Sequence, residues 1–139
     1  MDMGLTRDAK AGDELPGFTA GPVSRLGLAL YCGASGDHNP IHVDLDFARA
    51  AGMDDVFAHG MLSAAYLARL LTRWAPQSAL REYAVRFVAI TRVGDEVRCS
   101  GRVVERFEAQ GEARVRVELD ARSQTGELRL SGAAVLAVR

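Results

Sequence analysis

The sequence predicts an α+β domain in which one antiparallel sheet curves around a single long, buried helix. Three observations point to it. Residues 60–74, Gly-Met-Leu-Ser-Ala-Ala-Tyr-Leu-Ala-Arg-Leu-Leu-Thr-Arg-Trp, carry apolar side chains over most of a helical circumference. Beyond about residue 82 apolar and polar residues alternate with the period of two that half-buried strands show. The character of the chain changes only this once, without a repeat or polar linker, so all 139 residues are expected to form one domain.

The elements follow in order. Gly12-Asp13-Glu14-Leu15-Pro16-Gly17 reads as a turn entering a short extended piece. Ser24 is placed to cap a helix over residues 25–34, because a Ser at that position accepts a bond from an otherwise orphaned N–H. A loop follows over residues 35–41. Asp44 can cap a second short helix with Phe47 and Ala48 facing inward and Gly52 as its stop. The 60–74 helix shows only Ser63, Tyr66, Arg69 and Arg73 as a polar edge and has Pro76 just beyond it. At 1.5 Å per residue it reaches roughly 22 Å, too short for a bilayer, so protein has to surround it.

The second half supplies the wrapping. Ala113, Val115, Val117, Leu119 and Ala121 alternate with Arg114, Arg116, Glu118, Asp120 and Arg122, and Val97, Cys99, Gly101 and Val103 repeat the pattern against Arg98, Ser100 and Arg102. Turns at Gln110-Gly111 and Thr125-Gly126 join these strands to each other and to residues 128–138 as hairpins. The last strand is apolar on both faces after Gly132, as a central strand or one at a subunit contact would be. This description fits the hot-dog fold.

Composition excludes several classes. A net charge of -1 with 25% charged residues gives no electrostatic case for nucleic acid. Lys10 is the only lysine among 17 basic residues, a skew that reflects coding bias more than function. Cys32 and Cys99 lie in apolar stretches without metal or redox spacing and read as core residues in a reducing compartment. No leader-like segment and no apolar run of about 20 residues is visible, so a cytoplasmic protein without a membrane partner is expected.

The chemistry concentrates in Ser35-Gly36-Asp37-His38-Asn39-Pro40-Ile41-His42-Val43-Asp44. Gly36 permits backbone conformations closed to other residues, and Asn39-Pro40 holds an extended or turn geometry, so Asp37 and His42 can aim at one point from a loop. An acid and a base poised together suggest proton transfer. Zinc would require a definite set of convergent ligands, and the His38-x3-His42 pair off a helix is not such a frame, so no metal is expected despite Asp37, Asp44 and His59 nearby. His38 receives no role, and Ser35 and Tyr31 read as loop bracing and core.

On these residues the chain resembles the MaoC-like hydratases. The stretch from Tyr31 to Asp44 is similar to the family's signature, and His59-Gly60-Met61-Leu62 to its second block. The entry Ala11-Gly-Asp-Glu-Leu-Pro16, the Tyr83-Ala-Val-Arg-Phe87 strand and Val93-Gly-Asp-Glu-Val97 also have counterparts, so nearly the whole chain is covered. Within the family it is most similar to actinobacterial (3R)-hydroxyacyl-ACP dehydratase B subunits. The resemblance implies (R)-specific hydration of trans-2-enoyl thioesters on CoA or a carrier protein, or the reverse dehydration, with Asp37 and His42 as the catalytic pair and no cofactor. It places the Gly60 N–H as oxyanion donor. Candidate substrate contacts are Gly60, Asn39, His59 and Met61. Against that, the Asn39 amide suits tying the loop, His59 suits a cap or packed neighbour, and Met61 and Leu62 suit core before tunnel lining. Some relatives carry a serine where this chain has Ala68, and Ser63 is the nearest hydroxyl. In an apolar tunnel the Asp37 pKa is expected to rise, keeping a carboxylic acid available near pH 7. Arg69, Arg73, Arg81, Arg86 and Arg92 are either solvated or available to phosphates of CoA or to an acidic carrier. A dimer is expected, a homodimer or a heterodimer with a second hot-dog chain. Competing readings are a hot-dog thioesterase and a non-catalytic acyl-binding or scaffolding subunit.

Overall fold

A computed structural model describes residues 7–138. Strand β1 (Phe18–Ala20) precedes helix α1 (Arg25–Ser35), then a 3₁₀ turn at Pro40–His42, helix α2 (Leu45–Ala50) and helix α3 (Gly60–Trp74). After a second 3₁₀ turn at Gln77–Ala79 come strands β2 (Leu80–Phe87), β3 (Val97–Ala109), β4 (Glu112–Arg122) and β5 (Leu128–Ala137). The sheet runs β1-β3-β4-β5-β2, and each of its pairings is antiparallel. Among the described residues no helix is long and apolar enough to cross a membrane.

The core is the side of the sheet that meets α3. Alternation in β3 and β4 turns Val97, Cys99, Val103, Val115, Val117, Leu119 and Ala121 inward, against Ala64, Leu67, Leu70 and Leu71 of the helix. Each fully buried leucine of this kind contributes about 2 kcal/mol of transfer free energy, enough to fix which helix face points in. The Tyr83 hydroxyl then donates to the Ala64 carbonyl at 2.6 Å, binding edge strand β2 to the helix. Burial pushes that phenol's pKa up to about 12, so it stays a donor. This is the sheet-around-helix arrangement expected from the sequence, and β5 is an inner strand, flanked by β4 and β2.

Three local expectations need correction. Phe47 is 46% exposed while Ala48 is fully buried, because a six-residue helix turns only one narrow face inward. Ser63 does not lie on a polar edge of α3: it is 1% exposed and donates to the Thr91 hydroxyl at 3.4 Å. Met61 is 59% exposed and is not core. The outer stripe of α3 is Met61, Ala65, Arg69 and Arg73, one residue per turn.

Candidate active site

The loop after α1 is built by short side chains bonding to nearby backbone. Ser24 accepts from the Gly27 N–H at 2.9 Å and starts α1, while Gly36 ends it at φ 78°, a left-handed cap that a side chain would strain. The Ser35 hydroxyl donates to the Tyr31 carbonyl at 2.7 Å and accepts from the Asp37 N–H at 3.1 Å. Asp37 in turn accepts from the Asn39 N–H, and the Asn39 Oδ1 accepts from the Ile41 N–H at 3.1 Å, opening the 3₁₀ turn that carries His42. Asp44 accepts from the Phe47 N–H and starts α2. Ser35 thus braces the loop as expected. The oxygen of Asn39 is committed to the same task, so the loop-tying use of its amide that the sequence suggests is the one seen here.

The loop brings the acid and base together. A carboxylate oxygen of Asp37 and one ring nitrogen each from His42 and His59 lie within 4.8 Å of one another. His42 is 8% exposed, and its Nδ1 stands 2.8 Å from the Phe57 carbonyl. A carbonyl can only accept, so Nδ1 donates to it, and in the neutral ring Nε2 is the nitrogen with the lone pair. The Phe57 segment is itself moored to α1, since Arg25 donates to both carboxylate oxygens of neighbouring Asp55 at 2.8 and 2.7 Å. That pairing holds the Asp55 carboxyl below its ordinary pKa.

His59, a candidate ligand contact in the sequence, lies behind the pair instead. It is 1% exposed, its ring stacks on His42 with centroids 3.8 Å apart, and its Nε2 is 3.2 Å from the Asp37 carbonyl and 3.4 Å from the Cys32 sulfur. Tyr31 closes the other side edge-on at 4.7 Å. Burial, and then the neighbouring His42, lower the His59 pKa, keeping this ring neutral. Sequence reasoning offered His59 as a packed neighbour but had no means to see the stack, which joins residues 17 apart in the chain.

Asp37, His42 and His59 are the one group of potential metal ligands found this close together among the described residues. They suit a metal poorly. Imidazole lone pairs lie in the ring plane, and rings stacked at 25° send theirs in nearly parallel sheets rather than to one point.

Gly60 begins α3, and its N–H has no acceptor among the described residues, as the first N–H groups of a helix normally do not. Beside it lies a cleft of about 260 Å³ lined by Phe57, Ala58, Gly60, Leu130 and residues 87–91. Phe57 joins cleft to base, since its ring meets His42 edge-on at 5.2 Å. Met61 is absent from this lining and faces outward. A larger depression of about 890 Å³ crosses the charged face of the sheet at Arg86, Arg102, Glu118 and Asp120; of the arginines considered for phosphate it includes Arg86, and it includes none of Asp37, Asn39, His42, His59, Gly60 and Met61. Ser63 reaches Thr91 in the cleft wall and makes no bond to Asp37 or His42, so it does not replace the hydroxyl missing at Ala68. Arg81 is committed to Glu112 at 2.7 Å, whose carboxyl it holds down to about 2, while Arg69 and Arg73 lie over the Phe18 ring. The apolar enclosure expected around Asp37 is not supplied by the described residues, for its side chain is exposed.

Fold and site together define a hot-dog protein carrying an acid and base on the loop that overhangs the central helix. The MaoC like domain family matches residues 10–125, and the chain belongs to that family. It is 36% identical over 77 residues to the (R)-specific enoyl-CoA hydratase of Rhodospirillum rubrum, a match covering 54% of each chain. The chain therefore spans about half the length of that curated relative. Among solved structures it superposes with a TM-score of 0.85 on R-hydratase PhaJ1 from Pseudomonas aeruginosa, at 24% identity over 98% of this chain and 86% of that one. It superposes with a TM-score of 0.78 on a chain of the ChsH1-ChsH2 complex from Mycobacterium tuberculosis, at 23% identity over 93% of this chain and 98% of that one.

Proposed function

We propose that this chain is a hydro-lyase domain that adds water to trans-2-enoyl thioesters to give (3R)-hydroxyacyl thioesters, or removes it in reverse. The observation that carries the reading is the Asp37–His42 pair, with a ring nitrogen of His42 within 4.8 Å of acid and neighbouring ring and an open helix N-terminus beside them. In the dehydration direction His42 Nε2 takes the Cα proton, and the electron pair passes through the enolate to form the Cα–Cβ double bond. The β-hydroxyl leaves with a proton from the Asp37 carboxylic acid. Hydration is the same path reversed, with Asp37 taking a proton from water and His42 returning one to Cα.

The Gly60 N–H faces the charge that develops on the thioester oxygen. In comparable sites a single such donor contributes about 3 kcal/mol. Two free cysteines, Cys32 and Cys99, support a reducing cytoplasmic setting. The substrate is carried on CoA or on a carrier protein. The working unit is a dimer, either of two copies or with a second hot-dog chain; a structural neighbour solved as part of the ChsH1-ChsH2 complex supports a partner chain.

The test is hydration of a trans-2-enoyl-CoA chain-length series by the purified protein beside Asp37→Asn and His42→Ala, with chiral analysis of product. Turnover to the (3R)-alcohol that both substitutions lower by at least about 10³-fold is expected. Release of free CoA would instead identify a thioesterase. A folded wild-type protein with no turnover, even when CoA is replaced by a carrier-bound enoyl substrate, would favour the scaffolding role.

A further inference from the structure

The two reacting groups share one buried support. His59 reaches the backbone of Asp37 through Nε2 at 3.2 Å and the ring of His42 through its face at 3.8 Å, so it touches both partners of the pair. It cannot touch substrate itself, because it is 1% exposed and walled in by Tyr31 on one side and Cys32 on another. Its hydrogen-bonding state follows from the partners. A carbonyl and a thiol sulfur meet Nε2, so the proton sits there, and Nδ1 is left as a buried acceptor with no partner. An unpartnered buried nitrogen is costly in a residue that only fills space, where a leucine would pack without that penalty. The hydroxyl that some relatives present from the central helix is missing at Ala68, and Ser63 is occupied with Thr91. His59 contacts both the loop backbone at Asp37 and the ring of His42.

We propose that His59 is a positioning residue for the reaction of Asp37 and His42: its Nε2–H pins the Asp37 backbone and its ring face backs the His42 imidazole, setting the spacing of acid and base. This rests on the reading of that pair as the reacting groups. Misplacement of about 1 Å in such a constellation costs on the order of 100-fold in rate without weakening binding equally. His59 therefore acts on kcat, whereas a substrate contact would act on KM. Charged or titratable groups facing it are His42, Asp37, Tyr31 and Cys32, and its own neutrality lets it back His42 without repelling a proton there.

The two halves of the role separate by substitution. His59→Phe keeps an aromatic face against His42 and loses the donor. His59→Gln keeps a donor near the Nε2 position and loses the ring. Steady-state hydration of an enoyl-CoA is measured for both, together with the carbonyl-carbon NMR signal of Asp37, which responds to loss of a hydrogen bond. In His59→Phe the Asp37 signal is expected to move and kcat to fall about 100-fold, with KM within about threefold of wild type. In His59→Gln the signal is expected to stay and much of kcat to return. A rise in KM alone, an unmoved Asp37 signal in His59→Phe, or full activity in that variant would overturn the proposal. An inactive wild type, or activity surviving Asp37→Asn, would instead remove the catalytic reading beneath it, a result distinct from any failure of the His59 variants. If His59→Phe does not fold, His59→Leu carries the same two measurements.

Discussion

Gly60 shows how a single missing carbon shapes this site. A Cβ there would lie 2.8 and 2.9 Å from two atoms of the Phe87 ring, closer than non-bonded carbons tolerate. Phe87 is 54% exposed and free to swing, so the clash is relieved by moving the ring and not the backbone. Gly60→Ala is therefore expected to leave the melting temperature nearly unchanged, since relief of helix-glycine entropy, about 1 kcal/mol, offsets the shift. Turnover should fall, because the displaced ring lines the cleft, and Gly60→Ala combined with Phe87→Ala should recover it. Loss of activity that the double variant does not repair would place the effect at the N–H itself. At His59 the sign of a pH effect can be worked out. Its folded-state pKa lies below the ordinary value near 6.5, so the unfolded chain takes up the proton first as pH falls. The stability linked to this group is complete above about pH 6.5 and is lost as pH drops below it toward the lowered value. Thermal melts between pH 7.5 and 5 should show the wild type losing more stability than His59→Gln, and parallel curves would contradict a buried neutral imidazole.

The elements were legible in the sequence where one face of each had a single environment. The 60–74 helix matches its expected ends because Gly60 and Pro76 bracket it and because Leu67, Leu70 and Leu71 share one face. The β3–β4 hairpin turns at Gln110 and Gly111 with φ 50° and 75°, the paired left-handed turn that a Gln-Gly step suggests. What the sequence did not disclose are relations between elements: the stack of His59 on His42, the seat of Ser63 against Thr91, and the exposure of Phe47. None of these leaves a periodic trace, because each depends on how one loop lies over another. The two-faced apolar pattern of β5 matches its inner place between β4 and β2, and Gly132 explains how that strand fits. A Cβ there would lie 2.8 Å from the Ala84 carbonyl oxygen of β2, a backbone atom that cannot swing aside. Gly132→Ala is expected to destabilise by about 1–3 kcal/mol through the β2–β5 pairing, read as a lowered midpoint in urea. For scale, Leu67→Ala, at a fully buried site, should cost about 3 kcal/mol. A neutral Gly132→Ala would mean that β2 yields more easily than its seven pairings with β5 suggest.

At the level of the whole molecule the site and the sheet edge belong to the same unfinished surface. Strand β2 pairs with β5 on one side only among the described residues, which leaves a ladder of backbone groups along the other. Where β2 ends, Phe87 and Val88 are 54% and 49% exposed, followed by Ile90 at 39%, and all three line the cleft beside Gly60. An apolar rim on an open edge next to the reacting groups is a surface that a second hot-dog chain would cover, and Asp37 is exposed in this chain taken alone. Light scattering is expected to return twice the 15.0 kDa chain mass, or a one-to-one complex when the physiological partner is a different hot-dog chain. Placing charge in the rim with Phe87→Asp and Val88→Asp together should give a folded monomer, because neither side chain contributes to the core around α3. Such a monomer keeps Asp37, His42 and His59 in place but leaves the cleft beside Gly60 open to water, so on the proposed function its hydration rate should fall more than tenfold at unchanged helix content. A wild-type chain that runs as a 15.0 kDa monomer with full turnover would show instead that this chain encloses its substrate alone, and that the rim serves the acyl chain and not a neighbour.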